Sequence, residues 1–231
     1  MQKRIDNLRA RLSSMNIDGI YVTNLTNVRY LTGFTGSAGS VLILPDSQHF
    51  FTDGRYIEQS KSQVSNYSIH IVGGAHYESI FKEKLVSSNQ SIAIEGDAVS
   101  ANLFDKIKTL LSHVKWEKIS DIIGELAAVK DEIEIESLKT AIEITDIVFE
   151  KIIPELKVGA IEKEIAAKIS YLFKMNGAEG DSYESIIGSG YLGALPHARP
   201  TDKPFEKGDF VVMDFGALYN GYHADMTRTV V

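Results

Sequence analysis

The chain contains no cysteine, which removes disulfides, thiolate-bound zinc and thiol nucleophiles together. That fits a reducing cytoplasm, the expected location, although a protein can dispense with cysteine in any compartment. Basic residues are in deficit: 24 Lys and Arg stand against 31 Asp and Glu, a formal charge of −7. A surface of that sign repels phosphate backbones and no basic cluster offsets it, so nucleic acid is not an expected partner. No apolar run reaches the ~18 residues of a membrane-spanning helix, so no membrane partner is expected either. The first residues, MQKRIDNLRARLSSM, alternate charged and apolar side chains. They lack the uninterrupted apolar region of a secretory signal. What is present is globular in character. The 231 residues, 44% hydrophobic and 24% charged, suffice for one large domain or two ordinary ones with buried cores.

Along the chain, Ile5, Leu8, Leu12 and Met15 recur at helical spacing and predict a helix over 3–15. Short β-rich runs follow at 20–23, 41–45, 49–53, 68–72 and 91–95, with helical patterns at 54–64, 77–87 and 100–112. The segment NVRYLTGFTGSAGS, with Gly33, Gly36 and Gly39, reads as a loop. It lacks the Lys-Ser/Thr ending of a phosphate-binding loop, so its glycines are read as structural. Alternating strands and helices predict an α/β domain with a mixed sheet. Residues 118–131 read as a helix and connector. A long helix is predicted from Ile133 to about 153, with Ile135, Leu138, Ile142, Thr145 and Phe149 on its buried stripe; Pro154 ends or bends it. A second helix follows at 160–175, then strands and loops. The domain boundary is placed between 127 and 128, giving domains 1–127 and 128–231.

The most informative stretch is GDFVVMDFGALYNGYHADMTRTVV, residues 208–231. Asn220-Gly221 between two β-rich runs is a strong two-residue hairpin signal. With Tyr219 opposite Tyr222, Asp225 falls opposite Gly216, and Asp214 opposite Thr227. Period-two alternation then puts Asp214, Gly216 and Asp225 on one face, the two acids as diagonal neighbours roughly 7–8 Å apart at the backbone. Two carboxylates on a half-buried face repel each other and lose hydration, and a divalent cation resolves both problems. Oxygen ligands without thiolates suit Mn²⁺, Mg²⁺, Co²⁺ or Zn²⁺. Gly216 is read as leaving room for the ion. The plain alternative is a solvated surface hairpin that happens to carry two Asp. His223 shares the face of Asp225 and is a candidate substrate contact; a partly exposed hairpin histidine is the bland reading. His49, His70, His76 and His113 show no ligand spacing and are read as structural or surface residues.

Residues 195–231, with Pro196-His197 ahead of the hairpin, resemble the pita-bread metallopeptidases that cleave beside proline: aminopeptidase P, prolidase and their Xaa-Pro relatives. NVRYLTGFTGSAG and TDGRY resemble the creatinase-type N-terminal domain of that family, and SYESIIGSG (182–190) resembles the approach to its substrate pocket. The resemblance implies a creatinase-like mixed-sheet domain followed by the first half of a pita-bread α+β catalytic domain. It implies a metal-dependent exopeptidase of Xaa-Pro aminopeptidase or dipeptidase type. Two divalent ions are expected, Mn²⁺ first and Co²⁺ or Zn²⁺ as alternatives. Asp225 would bridge them, Asp214 would bind one, and His197 would hold the substrate and stabilise the tetrahedral intermediate. Proline-containing peptides and a second copy in a homodimer are the implied partners, with Arg29 and Tyr30 reaching a neighbouring subunit or serving the fold. The remaining ligands of the family, a His and two Glu, belong downstream of such a hairpin. An incomplete chain, inactive by itself, is therefore expected. The alternatives are a non-catalytic pita-bread binding module and, ranked last, a creatinase-like amidine hydrolase, whose relatives lack the acidic pair.

Overall fold

A computed structural model describes all 231 residues. The chain divides into two compact units, Met1–Val129 and Lys130–Val231.

The first unit opens with helix α1 (Gln2–Ser14) and strand β1 (Gly19–Val22), followed by α2 (Leu25–Thr32). Strands β2 (Ser40–Ile43) and β3 (Gln48–Thr52) form a hairpin, and α3 (Ile57–Gln63) leads to β4 (Ser68–Ile71). Then come α4 (His76–Lys82), β5 (Ser91–Glu95), α5 (Ala101–Leu110), β6 (Lys115–Ile119) and α6 (Ile122–Ala127). The six strands form one mixed sheet in the order β4-β3-β2-β1-β5-β6. The β1–β2 and β2–β3 pairings are antiparallel, and the other three are parallel. Every residue of β1, β2 and β5 is buried, the signature of strands covered on both faces. Ile20, Val22, Val41 and Ile43 pack with Ile5, Leu8 and Leu12 of α1 and Val28 and Leu31 of α2. The alternate residues Tyr21, Leu42, Ile92 and Ile94 pack with Ile80 of α4 and Ile107 of α5. The predicted mixed-sheet α/β domain is thus observed.

Two elements of this unit differ from their sequence reading. The segment taken as a loop from Asn27 begins inside helix α2. Asn24 caps it by accepting from the amides of Thr26 and Asn27, and Gly33 ends it at φ 81°, where a side chain would be strained. A short helix ahead of glycine-rich turns carries little periodic signal. Beyond α2 the loop is packed rather than open. Phe34 meets Phe50 and Tyr56 edge-on, with ring centroids 4.8 and 5.4 Å away. A Cβ on Gly36 would stand 2.2 Å from the Phe34 ring. Strand β6, KWEKI, was not anticipated. It is a half-exposed edge strand whose pattern is mostly charged, and parallel pairing with β5 holds it in place.

The second unit begins with the long helix α7 (Glu132–Ile152), then α8 (Glu162–Met175). Asp131 and Glu134 form a reciprocal capping box at the start of α7, which satisfies two of the orphaned amide groups there. Strands β7 (Gly180–Asp181) and β8 (Ile186–Ser189) precede the hairpin made of β9 (Val211–Phe215), β10 (Ala217–Tyr219), β11 (Tyr222–His223) and β12 (Met226–Val230). The buried stripe of α7 is Ala141, Ile144, Thr145, Val148 and Ile152, with Glu134 and Ser137 continuing it. This corrects the predicted stripe, since Ile135 and Ile142 are exposed. Isoleucine occupies both faces of α7, and polar partners decide which face turns in. Tyr222 donates to Glu134 Oε1 at 2.9 Å and Asn220 to Ser137 Oγ at 3.0 Å. Ile165, Ile169 and Phe173 of α8 complete a core with Ile187, Val211, Met213 and Phe215.

Candidate metal centre

The hairpin pairs as its turn dictates. Tyr219 faces Tyr222 and Leu218 faces His223 near the tip, while Phe215 faces Met226 and Asp214 faces Thr227 farther down. No residue is inserted on either arm, so the register read from Asn220-Gly221 holds along its length. Asn220 and Gly221 both have positive φ, 50° and 80°, as a type I′ turn requires.

The arms nevertheless belong to two sheets. β9 and β12 join β8 in one, and β10 and β11 join β7 in the other. The change of sheet occurs at Gly216, opposite Asp225, and a Cβ on Gly216 would stand 1.8 Å from the Ala224 carbonyl oxygen. Gly216 is therefore required by close backbone approach. It does not leave side-chain space for an ion. Its carbonyl accepts from the Ser182 amide at 2.8 Å, and the Thr145 hydroxyl accepts from the Ala217 amide at 3.0 Å, so the bend is hydrogen-bonded from both the loop and α7.

Along β9 the burial alternates. Val211, Met213 and Phe215 are buried, while Val212 and Asp214 are half-exposed. Asp214 thus stands on the open face. The loop between β7 and β8 brings Tyr183 over that face, and its hydroxyl meets Asp214 Oδ1 at 2.5 Å and Asp225 Oδ1 at 2.8 Å. The two carboxylates converge on one point. Burial raises the Tyr183 pKa, and its hydrogen bonds to Asp214 and Asp225 raise it further, so the phenol stays protonated. A phenol carries one hydrogen, and here it is shared between two acids, which leaves the pair short of positive charge.

His223 is exposed and its Nδ1 lies 3.1 Å from the Ser182 carbonyl oxygen. A carbonyl only accepts, so Nδ1 is the donor and Nε2 is the nitrogen available to a ligand. His197 is exposed in a turn with Pro196, and no hydrogen bond joins it to the acidic pair. Its loop is tied to the neighbourhood by Arg199, which forms an ion pair with Glu184, the residue after Tyr183. The structure brings Asp214 and Asp225 together at the Tyr183 hydroxyl, ties His223 to Ser182, the residue before Tyr183, and ties the His197 loop to Glu184, the residue after it. Tyr183 was not singled out as a site residue, although it lies within the SYESIIGSG motif. The only available signal was its position just ahead of β8, whose Ile186 pairs with Asp214.

Nowhere do three or more His, Asp or Glu side chains converge as a metal-ligand group. The acidic pair fits part of a divalent-cation site: two oxygen donors, one shared focus and a deficit of positive charge.

Residues 136–231 match metallopeptidase family M24, and residues 4–129 match the creatinase/prolidase N-terminal domain. The chain is 33% identical to an Xaa-Pro dipeptidase of Pyrococcus furiosus over 232 residues, covering 100% of this chain and 65% of that protein. Among solved structures, an Xaa-Pro dipeptidase from Bacillus anthracis superposes with a TM-score of 0.93 at 34% identity, covering 100% of this chain and 64% of that one. The prolidase from Pyrococcus furiosus superposes at 0.88 and 34% identity, covering 98% and 70%. The chain thus spans about 65% of the length of the curated relative. The two family matches, the mixed-sheet first unit and the hairpin-bearing second unit agree: the chain belongs to metallopeptidase family M24, with a creatinase/prolidase N-terminal domain ahead of its M24 segment.

Proposed function

We propose that the protein acts as a metal-dependent exopeptidase on peptide bonds next to proline, of Xaa-Pro dipeptidase or aminopeptidase type. The observation that carries this reading is the convergence of Asp214 and Asp225 on a single point above the open face of the hairpin. In this reading Asp214 and Asp225 would be among the side chains that hold two divalent ions, Mn²⁺ by preference. Bound there, the ions supply an acidified water and a polarised scissile carbonyl. His197 and the Nε2 of His223 hold the substrate. The imino nitrogen of proline has no N–H, so these side chains need offer it no acceptor. The M24 match and the Xaa-Pro relatives support the substrate class. We place the enzyme in the cytoplasm as a homodimer; a chain without cysteine is compatible with that location. No helix is long and apolar enough to cross a membrane.

The test is hydrolysis of an Xaa-Pro dipeptide at saturating Mn²⁺ by the full-length protein and by its Asp225→Asn variant. Loss of turnover in the variant with its fold retained is expected. Wild-type turnover by the variant would sink the metal assignment. A full-length protein that binds the dipeptide without hydrolysing it would favour the binding-module alternative.

A further inference from the structure

His197 stands on a segment with little core of its own. Residues 190–200 comprise a 3-10 turn at Gly190–Ala194 and the Pro196-His197 turn. Tyr191 and Leu195 are 75% and 52% exposed, and only Ala198 is deeply buried. Two internal amide bonds, Leu195 to the Leu192 carbonyl and Ala198 to the Leu195 carbonyl, shape it, and one more, from the Gly190 amide to the Phe210 carbonyl at 3.0 Å, ties only its first residue. The Arg199–Glu184 ion pair is largely exposed and holds it weakly.

The anchor is at the base. Glu162, in the first turn of α8, is fully buried. Its Oε1 accepts from the Ser189 amide and hydroxyl, both at 2.8 Å. Its Oε2 accepts from the Thr201 amide at 3.0 Å and the Thr201 hydroxyl at 2.7 Å. Ser189 is the residue before the segment and Thr201 the residue after it. Lys203 closes the network: its Nζ donates to Ser189 Oγ at 3.0 Å and to Asp209 at 2.6 Å, and its amide donates to Thr201 Oγ1 at 3.1 Å. Each hydroxyl therefore gives its hydrogen to Glu162 and accepts one from Lys203. Burying a carboxylate is costly unless donors saturate it, and four donors meet that need here. An apolar side chain could fill the same volume, but it could not fix the distance between Ser189 and Thr201.

We propose that Glu162 is the positioning residue for His197: one carboxylate clasps both ends of the segment 190–200 and so sets where the histidine stands. The clasp itself is independent of the peptidase reading; its consequence for substrate rests on that reading.

Amide hydrogen exchange tests the clasp. Glu162→Gln keeps one acceptor oxygen and turns an NH₂ toward the donors at the other end, so one end is released. Exchange within 190–200 should rise by about tenfold or more while the amides of α7 and the central hairpin keep their rates. Thr201→Val removes a hydroxyl at nearly constant volume and should loosen the same segment less, and Thr201→Ser should restore it. These two variants decide the matter if Glu162→Gln does not fold. Unchanged exchange in 190–200, or an equal rise throughout the second unit, overturns the clasp. In the full-length protein, with an Xaa-Pro dipeptide, Glu162→Gln should raise KM in the same direction as His197→Ala. If the segment loosens but His197→Ala changes neither KM nor kcat, the clasp stands and the substrate role of His197 falls.

Discussion

The two units solve the burial problem differently, and only one solution leaves room for chemistry. In Met1–Val129 the central strands are covered on both faces and every residue of β1, β2 and β5 is buried. Its buried carboxylate, Glu95, is spent on the amides of Thr23 and Asn24 and the side chain of Asn27, where it supports the start of α2. In Lys130–Val231 the sheets have three strands each and β9 buries alternate residues only. The open face carries an acidic pair to which the protein itself offers one shared phenol hydrogen. A sheet covered on both sides can supply stability; a sheet with one open face can also present charge to a ligand. The catalytic candidates accordingly lie in the second unit.

The comparison can be broken most sharply at Asp225. On the proposed reading, Asp225→Asn should lower Xaa-Pro peptidase activity of the full-length protein by more than about a hundredfold, since loss of a ligand exceeds the usual loss from a supporting residue, while the first unit melts as before. Trp116, the single tryptophan, lies in β6, so its fluorescence reports the first unit directly. Gly216→Ala comes next. The added Cβ would meet backbone at 1.8 Å, so about 3 kcal/mol or more of destabilisation is expected in the second unit, seen by calorimetry with the Trp116 transition unmoved. Gly54→Ala in the first unit meets nothing within 4 Å and serves as the control. A Trp116 midpoint that falls with Gly216→Ala would mean that the units do not unfold separately.

Acid should separate the units more gently. His49 is buried, and its ring nitrogens contact Ser47 Oγ and His70 Nε2, each at 3.0 Å; His70 in turn meets Glu83 at 2.7 Å. Burial lowers the His49 pKa, the facing His70 lowers it further, and Glu83 opposes both. The folded unit thus favours neutral His49. Its stability is full above the ordinary histidine range and falls as pH drops through it. His49→Gln should flatten that slope in the Trp116 transition between pH 7.5 and 5.5. Glu162 behaves differently. Burial raises its pKa, but the donors on Thr201 and Ser189 outweigh that and leave it lowered. Its contribution to the second unit is present above the ordinary glutamate range and is lost only as pH falls below it. Equal acid sensitivity of both units near pH 6 would contradict this division. The smallest effect belongs to the surface: Arg11→Ala, which breaks an exposed ion pair with Glu125, should change stability by less than about 0.5 kcal/mol.

Local chemistry was legible in the sequence and long-range partners were not. Asn220-Gly221 gave the register of the whole hairpin because turn geometry propagates along both arms. The burial alternation of β9 followed from period two. The inward face of α7 was misread, because isoleucines on both sides made the apolar pattern ambiguous and the deciding bonds come from Asn220 and Tyr222, far along the chain. The need for glycine at 216 is not visible in the sequence, since only the fold brings the Ala224 carbonyl against it. Tyr183 and Glu162 escaped because neither lies near its partners in sequence.

The sequence by itself determined the family, the mixed-sheet character of the first unit and the face on which Asp214 and Asp225 stand. These follow from motif chemistry, side-chain period and one turn. Tertiary structure decided that the two carboxylates meet at the Tyr183 hydroxyl, and that Glu162 gathers Ser189 and Thr201 at the base of the His197 segment. Those contacts join residues tens of positions apart, and the position of each partner is set by the packing of a whole element rather than by its neighbours in the chain.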